Sequence, residues 1–114
     1  MKVGVVGAGT MGAGIAQTFA TAGYDVTMVD VAQAQLDRGM TAIAASLAKL
    51  EEKKKLPAPA AEIGARVRTS TDIASLAQTD LVVEAAYEDP ALKQELFATL
   101  DRVTRRDVIL ASNT

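Results

Sequence analysis

The 114-residue chain is 49% hydrophobic and carries 12 basic against 14 acidic side chains, a formal charge of −2. That describes one globular domain, long enough to bury about two-thirds of its unfolded surface in a single core. Cysteine and histidine are both absent, which excludes disulfide frameworks, thiolate metal sites and the usual proton shuttle near neutral pH. Two tyrosines and two phenylalanines on a nearly neutral chain leave neither the basic patch nor the stacking platforms that nucleic acid requires. No stretch approaches the roughly 20 apolar residues of a membrane span. Glycines at 4, 7, 9, 12 and 14 break the apolar run after Lys2, so the N-terminus reads as a strand and turn rather than a signal peptide. A cytoplasmic location is expected.

Short β-branched runs alternate with longer helical patterns, the signature of βαβ units. Val3 to Val6 forms a first strand. Met11, Ile15 and Phe19, with Ala16 and Ala20 beside them, then mark a helix that Gly23 closes. Tyr24 to Asp30 is the second strand. Leu36, Met40, Ile43, Leu47 and Leu50 share one face of a long helix over about 32–55, whose far end, carrying Lys53, Lys54 and Lys55, is expected to project beyond the core. Pro57 and Pro59 stop it. A further helical turn at Ala60 to Ala65 precedes a short strand, Arg66 to Thr69, and Ser70 to Ala77 reads as a short helix capped by Ser70 or Thr71. Leu81 to Val83 lacks alternation, as in a strand covered on both faces. Asp89 and Pro90 then open a helix with Leu92, Leu96, Leu100 and Val103 on its buried stripe and Phe97 alongside. Val108 to Ala111 is a fifth strand. The predicted fold is α/β, a doubly wound parallel sheet of about five strands with a long helix after strand two.

Gly7-Ala8-Gly9-Thr10-Met11-Gly12 matches the G-x-G-x-x-G fingerprint in the context that gives it meaning, between a strand and a helix and with an acid at the end of the next strand. Gly7 allows the tight turn, Gly9 lets the backbone approach a pyrophosphate, and Gly12 lets the helix pack close to the strands. The pyrophosphate would lie on the amide groups of the helix N-terminus. Asp30 stands where an acid accepts hydrogen bonds from both adenosine ribose hydroxyls, its charge would oppose a 2′-phosphate, and no arginine or lysine follows before Arg38 to neutralise one, so NAD is preferred over NADP. The bland alternatives are a glycine turn serving packing alone and an Asp30 that only caps the following helix.

The whole chain resembles the NAD-binding domain of the 3-hydroxyacyl-CoA dehydrogenase family, 3-hydroxybutyryl-CoA dehydrogenases included. The matching stretches are Val5 through Ala16, Thr69-Ser70-Thr71-Asp72, Asp80 through Ala85, Glu88 with Lys93, and Ala111-Ser112-Asn113-Thr114. The resemblance implies that Glu88 and Lys93 line the cofactor cleft toward the nicotinamide. It also implies that Ser46 and Lys53, seven residues apart in the sequence and so on one helical face, contact coenzyme A. A lysine suits CoA phosphates, although lysines near a helix C-terminus also simply complement the helix dipole.

In the family, the residue after the last matching position is a serine that positions substrate, followed by a sixth strand with the catalytic histidine, a glutamate that orients it and a helical domain that closes the site and forms the dimer. None of these is among the 114 residues. No catalytic residue is assigned, and Ser112 and Asn113 are not promoted to that role. The expectation is a chain that binds the adenosine half of NAD and turns over little, its parent reaction being hydride transfer between C3 of a 3-hydroxyacyl-CoA and NAD. A noncatalytic nucleotide-binding or oligomerising module, pairing as a homodimer through the exposed edge strand 108–111, is the alternative from another class. A 6-phosphogluconate or 3-hydroxyisobutyrate type of NAD(P)-binding domain is a third reading.

Overall fold

The structure, a computed structural model, describes residues 1–85, 90–105 and 108–112, without the side chains of Pro90, Leu92, Lys93 and Ser112. Glu88, Asn113 and Thr114, each given weight above, lie outside the described residues. The described chain runs β1 (Lys2–Val6), α1 (Thr10–Thr21), β2 (Asp25–Val29), α2 (Gln33–Glu52), α3 (Ala60–Ala65), β3 (Val67–Ser70), a 3-10 turn (Ile73–Leu76), β4 (Leu81–Glu84), α4 (Pro90–Val103) and β5 (Ile109–Ser112). The strands form one parallel sheet in the order β3-β2-β1-β4-β5. The chain therefore leaves β1 for one side of the sheet and returns to its other side at β4, the reversal that opens a crevice at the strands' C-terminal ends.

Alternation along β1 divides the core. Val3 and Val5 face α1, α2 and α3 in a cluster with Val26, Met28, Leu36, Ile43, Leu47 and Ile63. Val6 faces the opposite side, with Val29, Leu76, Val82, Leu96 and Leu100. Gly4 points the same way, and a Cβ there would stand 2.7 Å from Leu76 Cδ2, so the bare backbone makes room for the 3-10 turn.

The helices depart from their predicted faces in instructive ways. The buried stripe of α1 is Gly12, Ala13, Ala16 and Ala20, whereas Met11 is 54% exposed and Ile15 and Phe19 are half-buried. Small side chains bring the helix axis close to the sheet, and the large apolar ones are pushed to its flank. The long helix ends at Glu52 rather than near 55, because the chain reverses in a Schellman motif. Lys54 takes the left-handed conformation at φ 56°, its N–H bonds Glu51 O at 2.9 Å, and the Lys55 N–H bonds Leu50 O at 2.9 Å. The far end does not hang free. Glu51 Oε2 accepts the Ala60 N–H at 2.7 Å, capping α3, which folds back so that Ile63 and Leu47 are both buried.

Two further expectations change. The cap of the 3-10 turn is Asp72, which accepts the Ala74 N–H at 2.9 Å, while Ser70, still in β3, accepts the Asp72 N–H at 3.0 Å. In β4 the residues do alternate, Val82 and Glu84 buried, Leu81 and Val83 half-buried, because on the α1 side Val83 opens onto a cleft of about 590 Å³ shared with Met11, Ile15 and Phe19.

Candidate functional site

The glycine turn is built as its spacing predicts. Gly7 has φ 107°, a region closed to most side chains, and donates its N–H to Val29 O at 2.7 Å, tying the end of β1 to the end of β2. A Cβ on Gly12 would lie 1.8 Å from Gly7 O, so only glycine lets α1 start this close to the turn. Gly9 is the N-cap of α1, with no side-chain cap and no acid in the first turn. Its missing Cβ would meet only Gln35 Nε2, at 3.4 Å. No acid of its own first turn offsets the partial positive charge of this helix N-terminus.

Asp30 follows β2 directly, half-buried. Its Oδ2 accepts the Ala8 N–H at 3.0 Å and its Oδ1 accepts the Ala32 N–H at 3.0 Å. One carboxylate thereby joins the glycine turn to the entry of α2, whose N-cap residue Ala32 has no side-chain cap of its own. Asp30 is not itself the cap of α2, whose N-cap is Ala32; it fixes the entry to that helix while holding the glycine turn. A cleft of about 560 Å³ opens beside it, lined by Val6, Gly7, Val31, Thr71, Ile73 and Leu96 among others. Its walls are mainly apolar, with Asp30 and Asp72 the charged residues on the lining, a combination that suits a nucleoside.

Several contributors escaped the sequence reading. Gly39 on α2 faces the turn, where a Cβ would come within 3.0 Å of Ala8 O and of Met28 Cε. Arg38, expected to stand too far along the chain to act near the turn, lines with Gln35 a cleft of about 260 Å³ together with Ala8, Gly9 and Thr10. The helical spacing of Gln35, Arg38 and Gly39 was the available signal, since all three fall on the face that meets the turn. Val31, 85% exposed at the mouth of the nucleoside cleft, carries no comparable sequence mark.

The structure brings Gly7 through Gly12 and Asp30 together around the turn after β1, with Gly7 and Asp30 lining one cleft and Ala8, Gly9 and Thr10 the cleft between α1 and α2. Ser46 and Lys53 stand apart on α2. Ser46 is half-buried against α1, where its Oγ accepts Gln17 Nε2 at 2.9 Å. Lys53 is exposed and is the C-cap of α2 rather than a residue within it. The backbone of Lys93 lies in α4. Among the described residues no cluster of acidic side chains could hold a metal ion, and no helix is long and apolar enough to cross a membrane.

A parallel sheet with a strand-order reversal, a glycine turn at a helix N-terminus and an acid after β2 define a dinucleotide-binding domain. Comparison with known proteins makes this specific: the family model described as 3-hydroxyacyl-CoA dehydrogenase, NAD binding domain, matches residues 2–114, and the chain belongs to that family. It is 49% identical to a protein of Deinococcus radiodurans named as a probable 3-hydroxybutyryl-CoA dehydrogenase, over 100% of this chain and 41% of that protein. The solved (S)-3-hydroxybutyryl-CoA dehydrogenase of Ralstonia eutropha superposes with a TM-score of 0.93 at 45% identity, covering 99% of this chain and 40% of the other. For the 3-hydroxybutyryl-CoA dehydrogenase of Escherichia coli the TM-score is 0.96 at 39% identity, over 100% of this chain and 24% of that one. The chain thus spans about two-fifths of the curated relative it matches. The match sets aside the 6-phosphogluconate and 3-hydroxyisobutyrate alternative, and the cofactor of the domain is NAD.

Proposed function

We propose that residues 1–114 act as the cofactor half of a 3-hydroxyacyl-CoA dehydrogenase, holding NAD against the C-terminal ends of β1, β2 and β4. The observation that carries this is the joint geometry of Gly12, Gly9 and Asp30. The crevice fits the group: a Cβ on Gly12 would close the turn, the first turn of α1 holds no acid of its own, and the Asp30 carboxylate stands at the rim of a nucleoside-sized cleft. In this reading the diphosphate lies over Gly9, Thr10, Met11 and Gly12 with Arg38 contributing positive charge, and Asp30 accepts the ribose hydroxyls. Its negative charge disfavours a 2′-phosphate, which selects NAD over NADP.

Bound NAD supplies the acceptor for the hydride leaving C3 of the 3-hydroxyacyl-CoA. In the same reading Glu88 and Lys93 serve the nicotinamide end and Ser46 with Lys53 takes the CoA moiety, the roles that the family resemblance implies. The sequence holds no histidine, so these residues bind and orient while the proton-accepting imidazole of the parent reaction comes from elsewhere. A cytoplasmic setting belongs to the same reading. Calorimetric titration tests it: NAD binding lost in Asp30→Ala, and CoA binding weakened by Lys53→Ala with NAD binding intact, are the expected results. Binding indifferent to both substitutions overturns it.

One observation favours self-association as well. Among the described strands β5 is an edge, and Ile109 on it is 63% exposed, a combination that invites pairing with a second copy. Sedimentation velocity across micromolar concentrations should show a monomer–dimer equilibrium that Ile109→Lys abolishes; a single monomeric species throughout contradicts the edge-pairing reading.

A further inference from the structure

Ser46 uses its hydroxyl differently from the two threonines near it on the neighbouring helix. A serine or threonine in a helix commonly turns its hydroxyl hydrogen back to the carbonyl four residues earlier. Thr18 and Thr21 on α1 do this, onto Gly14 O at 2.9 Å and Gln17 O at 2.8 Å. Ser46 makes no such bond. Its Oγ instead accepts Gln17 Nε2 from the neighbouring helix at 2.9 Å, in a half-buried contact. An amide N–H₂ only donates, so it occupies a lone pair of Oγ and leaves the hydroxyl hydrogen to be given elsewhere. Among the described residues no acceptor receives that hydrogen.

We propose that Gln17 is a positioning residue which polarises Ser46 as an outward hydrogen-bond donor, committing it to a phosphate or carbonyl oxygen of the CoA moiety. The proposal rests on the reading of Ser46 as a CoA contact and adds to it a cause for the direction of the bond. Coenzyme A is rich in acceptors along its phosphates and its amide-linked arm, so a serine fixed as a donor is matched to it. A serine bonded to its own helix would first have to break that bond. The Gln17 side chain removes the alternative by taking the acceptor side of the hydroxyl, and it does so from α1, the helix that begins at the dinucleotide turn.

Reversing the polarity of the contact separates this role from simple packing. Gln17→Glu keeps the length and the cross-helix bond, but a carboxylate accepts, so the Ser46 hydroxyl turns inward to donate. The measurement is calorimetric titration of the full chain with CoA, with NAD titrated as a control and thermal unfolding recorded for every variant. Ser46→Ala and Gln17→Glu should each weaken CoA binding roughly tenfold. Gln17→Glu should leave NAD affinity and the unfolding midpoint close to wild type, and its effect on CoA should persist at about 0.5 M salt, where simple charge repulsion is screened. Gln17→Leu, which removes the partner without reversing it, should weaken CoA by a smaller factor and decides the matter if the glutamate variant does not fold. If Ser46→Ala weakens CoA while neither Gln17 variant does, the positioning role is overturned and the CoA reading stands. If Ser46→Ala changes nothing, or the wild-type chain binds no CoA, both fall.

Discussion

The Asp30 carboxylate reaches back 22 residues along the chain to accept the Ala8 amide at 3.0 Å. With its other oxygen on Ala32 N–H at 3.0 Å, it is both a strut of the fold and the proposed ribose acceptor. Hydrogen bonds to a charged group contribute about 1.5–3 kcal/mol each, and a partner left without one adds a desolvation cost. Asp30→Ala should therefore lose about 2–4 kcal/mol of stability in denaturant titration together with NAD binding. An Asp30→Ala chain as stable as wild type would show that the two amides find water instead.

Two glycines in the same helix should respond in opposite senses. A Cβ at position 12 meets Gly7 O at 1.8 Å, and neither atom belongs to a flexible side chain. Gly12→Ala should displace the turn, cost at least about 3 kcal/mol and abolish NAD binding. At Gly14 nothing lies within 4 Å of the added Cβ, so Gly14→Ala should gain about 0.5–1 kcal/mol from helix propensity and the unfolded state. Chemical denaturation of the pair checks both signs.

Lys54 holds the left-handed position of the Schellman motif at φ 56°, where a side chain costs about 1 kcal/mol relative to glycine. Lys54→Gly should raise the denaturation midpoint accordingly. Lys54 is exposed at the end of α2, so the change should leave NAD affinity where it was.

At the opposite end of the sheet from the crevice, Asp80 binds three strands together. Its Oδ2 accepts the Lys2 N–H at 2.7 Å and its Oδ1 pairs with Arg105, just before β5. The Lys2 backbone bond first, and the Arg105 bond second, hold its carboxyl below the ordinary 3.8. Because the folded chain favours the charged form, this contribution is complete above the unfolded value and is lost as pH falls through the lower folded one. Asp80→Asn should thus flatten the acid limb of the stability profile below about pH 4, with a smaller effect in high salt because the group is exposed. An unchanged acid limb would place the acid sensitivity elsewhere.

Where local chemistry decides the structure, the sequence could be read directly. The G-x-G-x-x-G turn, the acid after β2 and the βαβ alternation each depend on backbone freedom or periodicity over a few residues, and Gly7, Gly12 and Asp30 stand where that reading puts them. What could not be read depends on partners distant in sequence. Glu51 caps α3 across a turn, Arg66 donates to Ala20 O at 2.7 Å to close the end of α1, and Gly39 is small because Ala8 and Met28 crowd it. Lys54 in a position that usually calls for glycine hid the end of α2. The large apolar residues of α1 carry the clearest periodicity, yet the close contact belongs to its alanines. Periodicity identified the helix and misjudged which side chains touch the sheet.

Thermal unfolding of the chain with each nucleotide tests the proposal that the glycine turn and Asp30 form a working NAD site that rejects NADP. At about 100 times its dissociation constant a ligand stabilises by about 2.7 kcal/mol, which raises the midpoint of a domain this size by about 10 °C. That rise is expected with NAD, little or none with NADP, and it should be lost in Asp30→Ala. Equal shifts with both nucleotides, or none with NAD at millimolar concentration, would contradict the proposal.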